Sequence, residues 1–146
     1  MELPPKITII IPTFNRVTTI GSTLNSLLQQ ESSEWECIVI DDGSSDGTVE
    51  KVEEYAQQDV RIKVGERPSH LPKGPNSCRN YGFSKSKGEL IYFLDSDDVL
   101  LKGALELYQS SFQLETQVVI APIKKLNRDG TEESINTITS NNLIED

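Results

Sequence analysis

The sequence predicts an α/β fold, a mostly parallel sheet with helices on both faces. Three observations carry that expectation. Short contiguous runs of β-branched and aliphatic residues recur along the chain, as buried parallel strands require. Between them lie stretches whose apolar residues fall three and four apart, the period of a helix packed on one side. Clusters of turn and cap residues follow the strand-like runs. Strands alternating with helices at this spacing imply βαβ units and hence parallel neighbours.

Taken in order, Lys6 to Ile11 is a β-branched run closed by Pro12 and reads as a buried first strand. From Thr18 the period changes. Ile20, Leu24, Leu27 and Leu28 form one apolar stripe of a helix, which Ser32 and Ser33 end. Glu36 to Ile40, with Cys37, Ile38, Val39 and Ile40 contiguous, is a second buried strand. Asp41 to Gly47 is dense in turn and N-cap residues, so an Asp or Ser, Ser44 or Ser45 among the serines, is expected to cap the helix that begins near Gly47. That helix puts Val49, Val52, Tyr55 and Ala56 on one face, and Arg61 to Val64 is a short third strand. Glu66 to Asn76 is a loop holding Pro68, Pro72, Gly74 and Pro75, followed by a weakly patterned helix over Ser77 to Ser86. Glu89 to Leu94 is a fourth buried strand. Leu101, Leu105, Tyr108 and Phe112 space a fourth helix, and Gln117 to Ile123 reads as a fifth strand. Asn127 to Gly130 is a turn signal.

Composition bounds the function. The chain has 146 residues, with 14 Lys and Arg against 23 Asp and Glu, a formal net charge of −9. The length suits one domain. The acidic balance argues against a nucleic-acid or anionic-membrane surface, since both need clustered cations. No segment approaches the roughly 20 apolar residues of a membrane span. The N-terminus lacks the pattern of a signal peptide. Two cysteines, Cys37 and Cys78, make no disulfide framework and read as small core residues. A reducing compartment is therefore expected: the cytoplasm, with the inner face of the membrane as the place of a longer chain. The one histidine, His70, sits in the Pro-rich loop and implies no histidine-based catalysis.

In an open α/β sheet, ligands bind outside the carboxyl ends of the strands. Three groups follow strands: Pro12-Thr13-Phe14-Asn15, Asp41-Asp42-Gly43-Ser44 and Asp95-Ser96-Asp97-Asp98. Parallel topology puts all three on one edge. Asp41, Asp42, Asp46, Asp95, Asp97 and Asp98 would then crowd one rim, and like charges that close raise one another's pKa or call for a cation. Oxygen ligands without His or Cys favour a hard divalent ion, Mg²⁺ or Mn²⁺, held by one or two carboxylates with positions left for substrate phosphates. Phe14 fits either the core or a stack against a nucleobase. Arg79 fits either a phosphate contact through its planar fork or a surface ion pair. Arg16 and Lys73 read as ordinary surface charges. No dinucleotide fingerprint, P-loop or nucleophile elbow is present.

The four blocks ITIIIPTFNR, IVIDDGSSDGT, CRNYG and ELIYFLDSDD, in that order, closely resemble the family 2 glycosyltransferases of the GT-A fold. The resemblance runs from about Lys6 to about Pro122. It implies a Rossmann-like GT-A nucleotide-diphospho-sugar transferase fold, a nucleotide-sugar donor, commonly UDP-linked, a divalent metal, and transfer with inversion. It also implies roles. Pro12, Thr13, Phe14 and Asn15, with Asp42 and the neighbouring Asp41, would hold the nucleobase and ribose, and Arg79 would lie near the nucleotide and diphosphate. Asp95 and Asp97 match the family's Asp-x-Asp, with Asp97 the leading metal ligand, Asp95 near the ribose and Asp98 a further candidate.

One departure is serious. Inverting members carry a carboxylate base on a later segment. Glu132, Glu133 and Glu145 are present here, but none stands in the family's Glu-Asp context. The expectation is a C-terminally truncated fold: a donor-binding domain over 1–125, then 126–146 as the polar start of an incomplete acceptor-side segment, with the base beyond Asp146. Apolar surface left uncovered by a missing segment would favour self-association. The acceptor, a saccharide or a lipid-linked hydroxyl, is not named by these residues. Two other readings remain open: a nucleotidyltransferase on a similar sheet, which the missing Gly/Lys-rich loop disfavours, and a nucleotide-binding module without turnover.

Overall fold

The structure is a computed structural model and describes residues 4–111, 123–127 and 130–135. The chain falls into two compact units that divide between Gln109 and Ser110.

The first unit is built on four strands: β1 (Ile7–Thr13), β2 (Trp35–Asp41), β3 (Ile62–Glu66) and β4 (Leu90–Phe93). All pairs are parallel, in the order β3-β2-β1-β4. The connections carry helices α1 (Ile20–Leu28), α2 (Thr48–Gln58) and α3 (Pro75–Lys85), and α4 (Ala104–Ser111) follows β4. The chain lays down β1, β2 and β3 in one direction and then returns to place β4 on the other side of β1. The strand order therefore reverses between β1 and β4, which is where ligand crevices open in such sheets.

Alternation along the strands sorts side chains to two faces. Ile7, Ile9 and Ile11 of β1 join Cys37 and Val39 of β2 in a core closed by Ile20, Leu24 and Leu27 of α1, Val52 of α2 and Leu105 of α4. On the opposite face Ile38 and Ile40 pack with Cys78 and Tyr81 of α3. Gly82 permits that approach: a Cβ there would lie 2.6 Å from Ile10 Cγ2. The layered α/β expectation, with helices on both faces, is met.

Several boundaries differ from the expectation, each for a local reason. β1 runs through Pro12 to Thr13, because Pro12 lies past the last β1–β4 pair, Ile10↔Phe93, while still registering with Ile40. α1 stops at Leu28 with Gln29 as its cap, before the two serines. The Gln30 side chain there turns to bind Ser26 and Leu101 carbonyls instead. α3 begins at Pro75, a residue suited to a first helical position. β4 is only partly buried, and Phe93 is 50% exposed. Of the Asp and Ser residues expected at the start of α2, neither Ser44 nor Ser45 serves there, and the aspartate does. Asp46 accepts both the backbone N–H and the hydroxyl of Thr48 at its start.

In the second unit, β5 (Ile123–Leu126) and β6 (Glu132–Ile135) form an antiparallel hairpin. Asn127 and Gly130 make its turn, with Gly130 N–H donating to the Asn127 carbonyl at 3.0 Å. The sequence read this stretch as strand then turn. The expected fifth strand over Gln117 to Ile123 lies outside the described residues except at Ile123, which begins β5. The hairpin also spans the expected 125/126 division. Among the described residues, no helix is long and apolar enough to cross a membrane.

Candidate functional site

A cleft of about 350 Å³ opens at the carboxyl ends of β1 and β4. Pro12, Thr13, Phe14 and Arg16 form one wall. Asp42 after β2 and Pro75, Cys78 and Arg79 of α3 form another, and Asp95, Ser96 and Asp97 after β4 close the rim. The three clusters that the sequence placed on one edge do converge.

The loop after β1 is held by the loop after β2. Three successive backbone N–H groups each find a side-chain acceptor: Asn15 N–H on Ser44 Oγ at 2.8 Å, Arg16 N–H on Thr48 Oγ1 at 2.8 Å, and Val17 N–H on Asp46 at 3.1 Å. Asn15 sits at φ 51, and its amide oxygen accepts the Ser45 N–H at 2.9 Å. These ties leave Asn15 beside the cleft, not among its lining residues. The Thr48 hydroxyl chiefly, and the Val17 and Thr48 N–H groups with it, hold the Asp46 carboxyl below its usual range.

The two adjacent aspartates divide their work. Asp41 is buried, and its carboxylate accepts the Gly43 and Ser44 N–H groups and the Ser44 hydroxyl. It shapes the turn and does not line the cleft. Asp42 does line it. Its carboxylate pairs with Arg67 and accepts the Gly74 N–H at 2.9 Å, which fixes the start of α3 against β2. Arg67 donates onward to the Pro68 and Leu71 carbonyls, so one buried guanidinium organises the Pro-rich loop.

On the rim, Asp95 meets Arg79 at 2.6 Å and Asp97 meets Arg16 at 3.8 Å. The Thr19 hydroxyl donates to the Ser96 carbonyl at 3.1 Å, pinning the backbone between the two carboxylates. α1 holds the segment that follows: Leu100 N–H donates to Ser26 Oγ, and Leu105 N–H to the Gln30 amide oxygen. Burial, then the charges of Asp97 and Asp95, push the Asp98 carboxyl up. Three carboxylates, Asp95, Asp97 and Asp98, stand in this loop beside the two arginines that pair with it, Arg79 and Arg16. Among the described residues no group of three or more His, Cys, Asp or Glu side chains converges as a metal cage. Asp95 and Asp97, two half-exposed carboxylates on the cleft rim, fit the other arrangement, a hard cation whose remaining positions are filled by water and substrate oxygens.

Two further groups describe the cleft chemically. Phe14 is 49% exposed on the cleft wall, which overturns the core alternative for it and leaves an open ring face at the ligand edge. Thr13 is 3% exposed, and its hydroxyl is without a hydrogen-bond partner. A buried polar group in that state lowers stability unless a ligand completes it. Cys78 is no nucleophile: burial first, then Asp42, pushes its thiol up to about 11, so it is protonated at neutral pH.

Of the candidate residues, the structure brings Pro12, Thr13, Phe14, Asp42, Arg79, Asp95 and Asp97 together around one cleft. Asn15, Asp41 and Asp98 lie in the same loops outside its lining. Glu145 is outside the described residues. Sequence reasoning missed Arg16, Thr19 and Arg67. Arg16 stood in the very block that marked the site. Arg67 carried a subtler signal, a cation opening a Pro-rich loop whose carbonyls need donors.

Residues 8–144 match the model of the family described as "Glycosyl transferase family 2". Among curated proteins the chain is 41% identical over 101 residues to the GalNAc(5)-diNAcBac-PP-undecaprenol beta-1,3-glucosyltransferase of Campylobacter jejuni, covering 69% of this chain and 32% of that protein. It is 35% identical over 112 residues to the UDP-Glc:alpha-D-GlcNAc-diphosphoundecaprenol beta-1,3-glucosyltransferase WfgD of Escherichia coli, covering 77% of this chain and 42% of that one. Among solved structures it resembles residues 1–349 of S. aureus TarS in complex with UDP-GlcNAc, with a TM-score of 0.66 and 34% identity, over 72% of this chain and 30% of that one. The chain thus spans 30% to 42% of the length of these relatives.

Proposed function

The chain belongs to glycosyl transferase family 2, and on that premise we propose that its cleft binds a nucleoside-diphosphate sugar, a UDP-sugar by first choice, for transfer with inversion to an acceptor hydroxyl. The observation that carries this reading is the meeting of an exposed aromatic wall, two arginines and three carboxylates at the β1/β4 switch point. Each part matches a part of such a donor. The Phe14 ring offers a face for the base. Asp42 lines the cleft and is held rigid by Arg67 and Gly74, so it presents an oriented carboxylate to base or ribose. Arg79 presents a fork that fits phosphate oxygens. The choice of uridine is supported by the relatives: one is named for UDP-Glc, and a solved neighbour holds UDP-GlcNAc.

Asp97, with Asp95 beside it and Asp98 as a further candidate, would hold Mn²⁺ or Mg²⁺. Bound there, such an ion supplies Lewis-acid stabilisation of the negative charge that builds on the leaving diphosphate. The chain's own residues orient the donor and keep the carboxylates in place through Thr19 and α1. The catalytic base is assigned to no described residue.

Thermal melting with a panel of nucleotide sugars tests the reading. A ligand at about 100 times its Kd adds roughly 2.7 kcal/mol of stability. UDP-sugars with Mn²⁺ are expected to raise Tm by several degrees, more than GDP- or CMP-sugars do. A flat response across the panel contradicts the proposal. Pyrophosphate release from UTP and a sugar phosphate would point to a nucleotidyltransferase instead.

A further inference from the structure

We propose that Arg16 is an exchangeable counter-ion of the cleft: without ligand it neutralises Asp97, and on donor binding it passes from that carboxylate to the donor's phosphate. The inference rests on the reading that a divalent ion and a nucleoside diphosphate share this cleft. It concerns a residue that neither the sequence patterns nor the family match assigns.

The geometry separates Arg16 from the other cations near the site. Arg67 and Asp42 are a structural pair, with side chains 8% and 13% exposed and the guanidinium tied to two carbonyls. Arg79 is braced by Asn76 at 3.0 Å as well as by Asp95 at 2.6 Å. Arg16 has no such brace. Among the described residues its one ion pair spans 3.8 Å, and both side chains are about half exposed, at 45% and 52%. A pair this open contributes little to stability and is easily given up. The Arg16 backbone, in contrast, is fixed. Its N–H is held by Thr48, and its carbonyl accepts the Thr19 and Ile20 N–H groups. The side chain can therefore swing while its anchor stays in place.

The charges then follow. A divalent ion entering beside Asp97 must displace the guanidinium and meets its repulsion. An incoming diphosphate supplies the anion that takes the guanidinium over, and a planar fork suits phosphate as well as it suits carboxylate. Metal alone is thus opposed by Arg16, whereas metal with nucleotide is assisted by it. This coupling favours loading the two together.

The test compares two affinities of the 146-residue chain. Mn²⁺ binding without nucleotide is read from the loss of the free-ion electron paramagnetic resonance signal. UDP binding in saturating Mn²⁺ is read by calorimetry. Wild type, Arg16→Gln, Arg16→Lys and Asp97→Asn are compared. Arg16→Gln is expected to bind Mn²⁺ alone about fivefold more tightly and UDP with Mn²⁺ about fivefold less tightly, the scale of one charge pair about 4 Å apart in water. Arg16→Lys should keep Mn²⁺ affinity within about twofold of wild type, because the charge remains. A merely structural lesion would weaken both affinities, so the opposite signs are the signature. Unchanged or weaker Mn²⁺ binding by Arg16→Gln overturns the exchange. If UDP binding still depends on Mn²⁺ and on Asp97, only the exchange falls; if it depends on neither, the metal reading falls with it.

Discussion

Asp42→Ala is expected to unfold the domain more readily, although Asp42 lines the cleft. Its carboxylate is the counter-charge of Arg67, and the two side chains are 13% and 8% exposed. Removing it strands a buried guanidinium that keeps, among the described residues, the Pro68 and Leu71 carbonyls. It also leaves the Gly74 N–H at the head of α3 without its acceptor. Breaking one side of such a buried pair costs about 3–5 kcal/mol. The surviving carbonyl bonds place this case near the lower end, about 3 kcal/mol. In a domain of this size that lowers Tm by roughly 10 °C. Thermal melts followed by far-UV circular dichroism measure it, with Asp97→Ala as the control. Asp97 has only a half-exposed partner 3.8 Å away, so its loss should leave Tm within about 2 °C of wild type. If Asp42→Ala also melts within about 2 °C of wild type, the reasoning from buried charge is refuted.

Other consequences can be measured on the same protein. Gly82→Ala places a methyl group 2.6 Å from Ile10 Cγ2 and is expected to cost about 1–3 kcal/mol in denaturant unfolding. Phe14→Ala should weaken UDP binding about tenfold, within the range of base–aromatic stacking, and leave Tm unchanged because the ring is 49% exposed. For Glu36, burial pushes the carboxyl up, but hydrogen bonds from Lys63, Thr8 and the Lys87 N–H outweigh it and hold it below the usual value of 4.5. The unfolded chain therefore takes up this proton first as pH falls. The stability Glu36 contributes is complete above about pH 4.5 and is lost as pH drops through the lower folded value. The stability gap between wild type and Glu36→Gln should narrow on acidification, and a gap constant down to pH 3 (roughly) would count against it.

Much of this architecture was legible in the sequence because buried parallel strands leave a plain trace. The runs ITIII and CIVI allow no amphipathic reading, and the stripe of Ile20, Leu24 and Leu27 fixed which side of α1 faces the sheet. Convergence of the site followed from topology alone, since residues that follow parallel strands share an edge. What stayed hidden was the assignment of individual polar groups. Asp41, Asp42 and Asp46 looked alike as carboxylates of one rim. Only their neighbours show that Asp41 and Asp46 serve backbone N–H groups while Asp42 faces both Arg67 and the cleft. Arg16 was likewise unreadable, because the partner that defines it stands after β4, across the switch point. Partial burial of β4 escaped the sequence for a related reason: an apolar run states that a strand can be buried, not which neighbours cover it.

The central claim is that this rim holds a divalent cation and that the cation recruits the donor. A calorimetric titration of UDP with and without Mn²⁺, on wild type and Asp97→Asn, tests it most directly. The expected result is binding by wild type that strengthens at least tenfold with Mn²⁺, and an Asp97→Asn variant in which that gain is absent while Tm is unchanged. Equal affinity for UDP with and without the metal, or a metal-dependent gain that survives Asp97→Asn, would contradict the account.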